Sequence, residues 1–324
     1  MSDEGERADG FESEADARAA RTALAEAKPD RQVSTVAALG RGNRKRTVLA
    51  TLDGGERVVL QFADDRRLLR SEATLLAAIA DRTAVPVPDV LATGVDDDTA
   101  YLCTAHVEGV DLHERFATLD EDFQRDLARS FGRYLTDLHA TFGFDGYGDV
   151  VVEAGELRVT DDGRSWGDWL GTYGRSAVER LPADFDDLRP RLLERFADPA
   201  VDPDAPSRLY PWDFRPGNAL VVDGELAAVL DWESPLAAAP ALSVTKAEYL
   251  VADWYVADPK PLRAAFRDGY ETVRPYPTVD PIHRAAAVVD TAVDSRGVVT
   301  NPRYPELDRE ASVAFHRRSL EKLI

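Results

Sequence analysis

From residue 33 the apolar positions read as short strands, 33–39, 46–52 and 57–62, broken by Gly40 and Gly42 and by Asp53-Gly54-Gly55. The period then changes. Leu68, Leu75, Leu76 and Ile79 stand at helical spacing from Arg66 to about Arg82, and Pro86-Val87-Pro88 ends that run. Two more strands follow, 90–94 and 100–106, joined by three aspartates at 96–98. From Leu112 the pattern is largely helical: 123–142 carries Leu127, Phe131, Leu135 and Leu138 on one face, a helix starts near Ser165, and 236–256, 260–273, 281–294 and 307–323 read as helices. The glycine- and aspartate-rich stretch 143–163 reads as a loop beside a substrate cleft. In front of the first strand, Ser13 caps a short helix with Ala17, Ala20, Leu24 and Ala27 on one face, preceded by an acidic tail, 1–12, expected to be disordered.

These elements predict an α+β chain in three parts. Residues 1–30 are tail and short helix. Residues 31–106 form a small antiparallel five-stranded unit with one helix, and 107–324 a larger, mainly helical unit, with Val107 to Asp111 as the hinge.

The most informative stretch is 210–233. Ala219 to Val222 and Leu226 to Leu230 are β-type runs joined by Asp223-Gly224, a strong hairpin turn. Just before the hairpin, Asp213 and Asn218 stand five apart on a loop broken by Pro211, Pro216 and Gly217, and just after it comes Asp231. The hairpin sets Asp231 back beside Asn218. Transfer of a γ-phosphoryl group needs a base to orient the attacking hydroxyl and oxygen ligands to hold magnesium against the phosphates. Asp213, Asn218 and Asp231 are of those types, whereas a loop whose acids only solvate it has no reason to present base, amide, hairpin and second acid in that order.

At these residues, Asp213-Phe-Arg-Pro-Gly-Asn218 followed by Leu230-Asp231-Trp232-Glu233, the chain resembles the aminoglycoside phosphotransferase family. That family shares the protein-kinase fold and includes choline and fructosamine kinases. The resemblance covers roughly residues 33 to 275 and implies a bilobal fold. It further implies Asp213 as catalytic base, Asn218 and Asp231 as Mg2+ ligands, ATP or GTP as phosphoryl donor and a small-molecule hydroxyl as acceptor. The adenine would bond near Thr104 to Val107, with Thr104 and His106 among the nucleotide-binding residues; His139, in a Leu-His pair usual for the family, is expected to be structural. Departures are visible too: Pro211 stands in place of the histidine that usually steadies the catalytic loop, and Ala239 and Ser243 where aspartates are common.

The loop Gly40-Arg-Gly42-Asn43-Arg-Lys45 between the first two strands would let backbone amides approach phosphate oxygens. Gly40, Gly42, Asn43 and Lys45 are therefore expected on the phosphates. The third strand carries Gln61 where kinase-like folds usually have a lysine, and a neutral amide cannot supply that charge. Glu72 falls inside the apolar stripe of the following helix, and a buried carboxylate needs a cation to stay ionised. Lys45 takes the third glycine position of the loop, where the with-no-lysine protein kinases place a substitute lysine. Two readings stand side by side: Lys45 replaces the missing lysine and pairs with Glu72, or it is a solvent-facing strand residue between Arg44 and Arg46.

Composition adds limits. The chain has 324 residues, 44% of them apolar, enough for a large core. Its net charge of −20 argues against nucleic acid or an anionic membrane as partner. Only five residues are lysine, Lys28, Lys45, Lys246, Lys260 and Lys322, and acidity with so few lysines is the habit of proteins from a high-salt cytoplasm. Cys103, the single cysteine, excludes an internal disulfide and lies in an apolar run, which predicts a buried, inert thiol. The start lacks a signal-peptide pattern and no run of about eighteen apolar residues is present, so the expectation is a soluble cytoplasmic protein. Trp254, Tyr255 and Asp290 either shape an acceptor pocket or belong to the core. The competing functional reading, favoured by Gln61, is a kinase-like nucleotide binder without turnover.

Overall fold

The computed structural model describes residues 10–39, 44–160, 163–294 and 296–324. Gly40, Gly42 and Asn43, expected on the phosphates, lie outside the described residues.

Five strands, β1 (Val33–Ala38), β2 (Arg46–Leu52), β3 (Arg57–Ala63), β4 (Val90–Asp96) and β5 (Thr99–Ala105), form an antiparallel sheet in the order β1-β2-β3-β5-β4. Alternation sorts their side chains onto two faces. Val48, Ala50, Val58, Leu60, Phe62, Tyr101 and Cys103 pack under helix α1 (Glu14–Ala27), against Ala19, Ala20, Ala23 and Leu24. Ala100 and Leu102, on the other face, meet helix α2 (Arg66–Arg82). The sheet thus carries two helices instead of the one expected, because the alanine stripe of α1 is narrow enough to lie flat on it. Phe11, assigned to the tail, packs edge-on against Phe62 with ring centroids 6.2 Å apart. Ser13 caps α1 as expected, accepting from the Asp16 amide at 3.1 Å. Cys103 is fully buried, and burial pushes its thiol up to about 12.

After β6 (Val110–Asp111) come the short helix α3 (Leu112–Arg115) and α4 (Glu121–Thr141), then β7 (Gly143–Phe144), β8 (Gly148–Glu153) and β9 (Glu156–Val159). Helices α5 (Trp166–Arg180) and α6 (Arg189–Arg195) lead to β10 (Ser207–Tyr210), the hairpin β11 (Ala219–Val222) and β12 (Glu225–Val229), and β13 (Leu236–Ala238). Helices α7 (Pro240–Glu248), α8 (Lys260–Tyr270), α9 (Pro281–Thr291) and α10 (Arg309–Glu321) complete the chain. A second five-stranded sheet, β7-β10-β13-β8-β9, runs through the stretch 143–163 that the sequence suggested was a loop. Its strands are two to six residues long and drawn from three separate stretches of chain, too short for a two-residue period to register. The run expected as a helix from 236 also opens as strand β13, and Pro240 starts the helix behind it.

Helices α4 and α8 approach closely at two glycines: a Cβ on Gly132 would stand 1.9 Å from the Phe266 carbonyl oxygen, and one on Gly269 1.9 Å from that of Arg129. Behind them His139 is fully buried, its ring nitrogens hydrogen-bonded to the hydroxyls of Tyr270 (2.8 Å) and Ser243 (3.0 Å). Ser243, one of the departures from the family pattern, thus has a structural partner. Among the described residues no helix is long and apolar enough to cross a membrane.

Candidate active site

Asp223 and Gly224 both adopt positive φ, 51° and 86°, as the tight turn between β11 and β12 requires. The ladder closes with the Leu230 amide donating to the Asn218 carbonyl at 2.7 Å, which fixes Asp231 beside Asn218. β6 pairs with β11 and seats this hairpin under the 107–111 segment.

The Asp213 carboxylate is held from two sides. Arg215 Nε donates to Oδ1 at 2.8 Å, and Asn218 Nδ2 donates to Oδ2 at 3.0 Å and to the Asp213 carbonyl at the same distance. Burial works against the Arg215 charge, but Asp213 and the Tyr255 hydroxyl outweigh it and raise its pKa. The guanidinium also lies over Trp254, 5.4 Å from the ring centroid. Where the family usually has its loop histidine, the Pro211 carbonyl accepts from the Asp213 amide at 2.7 Å. Trp212 between them has φ +56°, a left-handed conformation that costs a non-glycine residue on the order of 1–3 kcal/mol.

Alternation along β2 separates two adjacent cations. Arg46 faces α1 and pairs with buried Asp16 at 2.9 Å. Lys45, just before the strand, faces the other way: Nζ lies 2.9 Å from Glu72, 3.0 Å from Asp231 and 3.4 Å from Glu233, with 6% of its side chain exposed. The register pairs Thr47 with Gln61, so Lys45 stands two residues along on the same face as Gln61. Its amine therefore occupies the space next to the strand position that lacks a lysine. Burial disfavours the ammonium, but Glu72, Asp231 and Glu233 overcome this and raise the Lys45 pKa. Burial first, and then crowding by Asp231 and Glu233, raises that of Glu72. Arg44 Nη1 donates to Ser234 Oγ at 2.6 Å, a second link from the residues leading into β2 to the segment after Asp231.

Lys45, Glu72, Asp213, Arg215, Asn218 and Asp231 line one cleft of about 1220 Å³. That exceeds the ~300–1,000 Å³ of a typical single-ligand site, which leaves room for two substrates. Thr104 and His106 line its sheet side together with Val59, Gln61, Glu72 and Lys45. The Thr104 side chain is buried, and the His106 amide donates to the Arg57 carbonyl at 3.3 Å. Burial, then Arg57, lowers the His106 pKa, so the ring is neutral near pH 7. Asp213, Asn218 and Asp231 line the floor, and Tyr173, Arg180, Trp212, Lys246, Trp254 and Asp290 the far wall. Tyr255 lies behind that wall against Arg215.

The donor chemistry suits magnesium held jointly with phosphates. Asn218 gives its amide hydrogens to Asp213, leaving Oδ1 as the acceptor for a ligand, and Asp231 adds a carboxylate. Three carboxylates surround one ammonium at Lys45, a local excess of negative charge that a divalent cation would offset. Among the described residues no cluster of three His, Cys, Asp or Glu side chains has metal-binding geometry. Magnesium in phosphoryl-transfer sites characteristically takes one or two protein ligands and completes its shell with phosphates and water.

Sequence reasoning passed over Glu233, Arg215, Trp212, Tyr173, Arg180 and Lys246. Lys246 carried a readable signal: it is one of five lysines and sits in the mainly apolar run 241–252, whose only other charged residue is Glu248.

Residues 35–282 match the sequence model of the phosphotransferase enzyme family, and the chain belongs to that family. A comparison with curated proteins finds no significant match. Among solved structures, a candidate aminoglycoside phosphotransferase from Ralstonia eutropha is similar at TM-score 0.62 and 18% identity, over 89% of this chain and 92% of that one. A candidate fructosamine-3-kinase from Thermobifida fusca aligns at TM-score 0.59 and 20% identity, over 96% of this chain and all of the other. A thermostable mutant of the aminoglycoside phosphotransferase APH(4)-Ia, solved as a ternary complex with ADP and hygromycin B, aligns at TM-score 0.57 and 15% identity, over 90% and 94%. At these identities the likeness establishes the fold.

Proposed function

We propose that the protein is a small-molecule kinase that moves the γ-phosphoryl group of ATP, or GTP, to an alcohol. The observation that carries this reading is Asp213, a carboxylate open to a two-substrate cleft and oriented on both sides by Arg215 and Asn218. A binding protein needs no oriented base. Residues 31–106 form the lobe that faces the nucleotide and 107–324 the lobe that holds the acceptor. Thr104 and His106 lie on the adenine side, Lys45 takes over the role of the missing strand lysine with Glu72 as its partner, and the loop with Gly40, Gly42 and Asn43 covers the phosphates. Asn218 and Asp231 hold Mg2+, which neutralises phosphate charge when bound.

The acceptor oxygen forms a bond to the γ-phosphorus as the bridging bond to the β-phosphate breaks. That bond's electron pair leaves with the nucleoside diphosphate, and the hydroxyl proton passes to Asp213 Oδ. Removal of a general base typically costs ~10²–10⁴-fold in rate. The test is ADP release from magnesium-ATP in molar potassium chloride with pooled alcohols. Acceptor-stimulated release that falls by at least the lower figure in Asp213→Asn supports the kinase. Nucleotide binding without release in either protein favours the silent binder that Gln61 and Pro211 would suggest.

A further inference from the structure

Beyond Asp213 the cleft is walled by α5, α7 and α9, and Asp290 of α9 lies at the centre of that wall. Lys246 of α7 donates to its Oδ2 at 2.5 Å, Trp212 Nε1 to the same oxygen at 3.0 Å, and Arg180 of α5 to Oδ1 at 2.8 Å. The Tyr173 hydroxyl, two turns before Arg180 on the same face of α5, shares a hydrogen bond with the Tyr210 hydroxyl at 3.2 Å. The Lys246 ammonium also stands 4.2 Å from the centre of the Trp212 ring. Lys246 and Asp290 are almost fully buried, whereas 39% of the Arg180 side chain is open at the cleft.

The charges in this wall do not cancel. Two cations, Lys246 and Arg180, meet one carboxylate, Asp290. The neighbouring Asp294 is taken up by its own loop, accepting from the amides of Arg296 and Val298 and from the Arg296 guanidinium. Asp213 is paired with Arg215. A chain of net charge −20 with five lysines has thus buried one where it leaves a positive excess, and directed an arginine into the cleft beside it. Surface acids do not offset that excess, because they act over a Debye length of only ~8 Å at physiological ionic strength and less in stronger salt.

We propose that the Arg180–Lys246 wall is an anion subsite for the acceptor, which is a small hydroxylated acid whose carboxylate or phosphate pairs with Arg180 while a hydroxyl meets Asp213. This rests on the kinase reading above for the role of Asp213. Arg180 Nη2 is engaged by Asp290, and its outer edge offers the planar donors that carboxylates and phosphates accept. Trp212 and Trp254 line the same cleft as Arg180 and Asp213 and offer the acceptor's carbon body an apolar surface. A polycationic acceptor would meet like charge.

The test is binding calorimetry on the full chain without nucleotide, at one fixed potassium chloride concentration. Matched probes are used: glycerol and glycerate, glucose and gluconate, glucose and glucose 6-phosphate, and a polycationic aminoglycoside. The acids are expected to bind at least tenfold tighter than their neutral counterparts, and the carboxylate and phosphate arms show which anion is preferred. Arg180→Gln, checked for an unchanged melting profile, should weaken acid binding by about ten- to a hundredfold, the loss of a hydrogen bond to a charged group. Acids that bind no better than neutral counterparts, acid binding that survives Arg180→Gln, or tighter binding of the polycation would each overturn the subsite. The two readings fail separately. Arg180-dependent acid binding with no phosphoryl transfer sinks the kinase alone, and transfer confined to neutral alcohols sinks the subsite alone.

Discussion

Replacing Lys45 by alanine separates a working substitute lysine from a surface cation. Its amine touches Glu72, Asp231 and Glu233 within 3.4 Å, and the Glu72 side chain is only 3% exposed. Removing the cation leaves a buried carboxylate without a partner, which costs ~3–5 kcal/mol when the pair is fully desolvated. Protonation of Glu72 relieves part of this, so the measured loss of stability should be nearer the lower figure. The effect on nucleotide use is a separate quantity. A hydrogen bond to a charged group contributes ~1.5–3 kcal/mol, so kcat/KM for magnesium-ATP should fall by about ten- to a hundredfold. Because Thr47 pairs with Gln61 across β2 and β3, Gln61→Lys puts an amine on the same face within reach of the same carboxylates. The double variant Lys45→Ala with Gln61→Lys should therefore recover most of both losses, measured by urea denaturation and by coupled ADP release. Nucleotide kinetics and stability unchanged in Lys45→Ala would refute the reasoning, and a loss that Gln61→Lys leaves untouched would refute the claim that one amine stands in for the other.

Two further predictions concern the scaffold. Burial lowers His139 to about 3 and His316 to about 4, while an unfolded histidine titrates near ~6.5. The folded rings stay neutral as the unfolded ones take protons, so their contribution is complete above pH ~6.5 and is lost as pH falls toward 4, at up to ~1.4 kcal/mol per pH unit for each. Glu72 and Glu233, with raised pKa values, act in the opposite sense, so the slope is read by comparing urea midpoints with those of His139→Gln, His316→Gln; equal slopes would contradict the assignment. Gly132→Ala forces a methyl into the Phe266 carbonyl and should destabilise by at least ~1–3 kcal/mol, whereas the exposed neighbour Arg133→Ala should change stability by no more than ~0.5 kcal/mol. Equal midpoints for the two would mean α4 and α8 do not pack as described.

What could be read from the sequence was what is local. The Asp223-Gly224 turn fixes the hairpin, and the hairpin fixes Asp231 beside Asn218, all within fourteen residues. Glu72 was legible for an energetic reason: an acid in an apolar stripe requires a cation, and a chain with five lysines offers few. The second sheet was not legible, since β7 and β13 are two and three residues long and gain their pairing only from distant strands. The docking of α1 was hidden by its weak alanine stripe, and nothing in that short helix marked Asp16 as the acid buried against Arg46. The far wall was out of reach for a different reason. Arg180, Lys246 and Asp290 come from three helices 44 to 110 residues apart, and no local pattern announces their meeting.

The central claim is that Asp213 serves a phosphoryl transfer to an alcohol. It is tested most directly by mass spectrometry of a mixed alcohol and hydroxy-acid pool after incubation with magnesium-ATP and either the unmodified protein or Asp213→Ala. The account predicts a phosphorylated acceptor with the unmodified protein and a yield lower by ~10²-fold or more with the variant. Magnesium-ATP bound by both proteins with no phosphorylated product from either, or equal product from both, would contradict it.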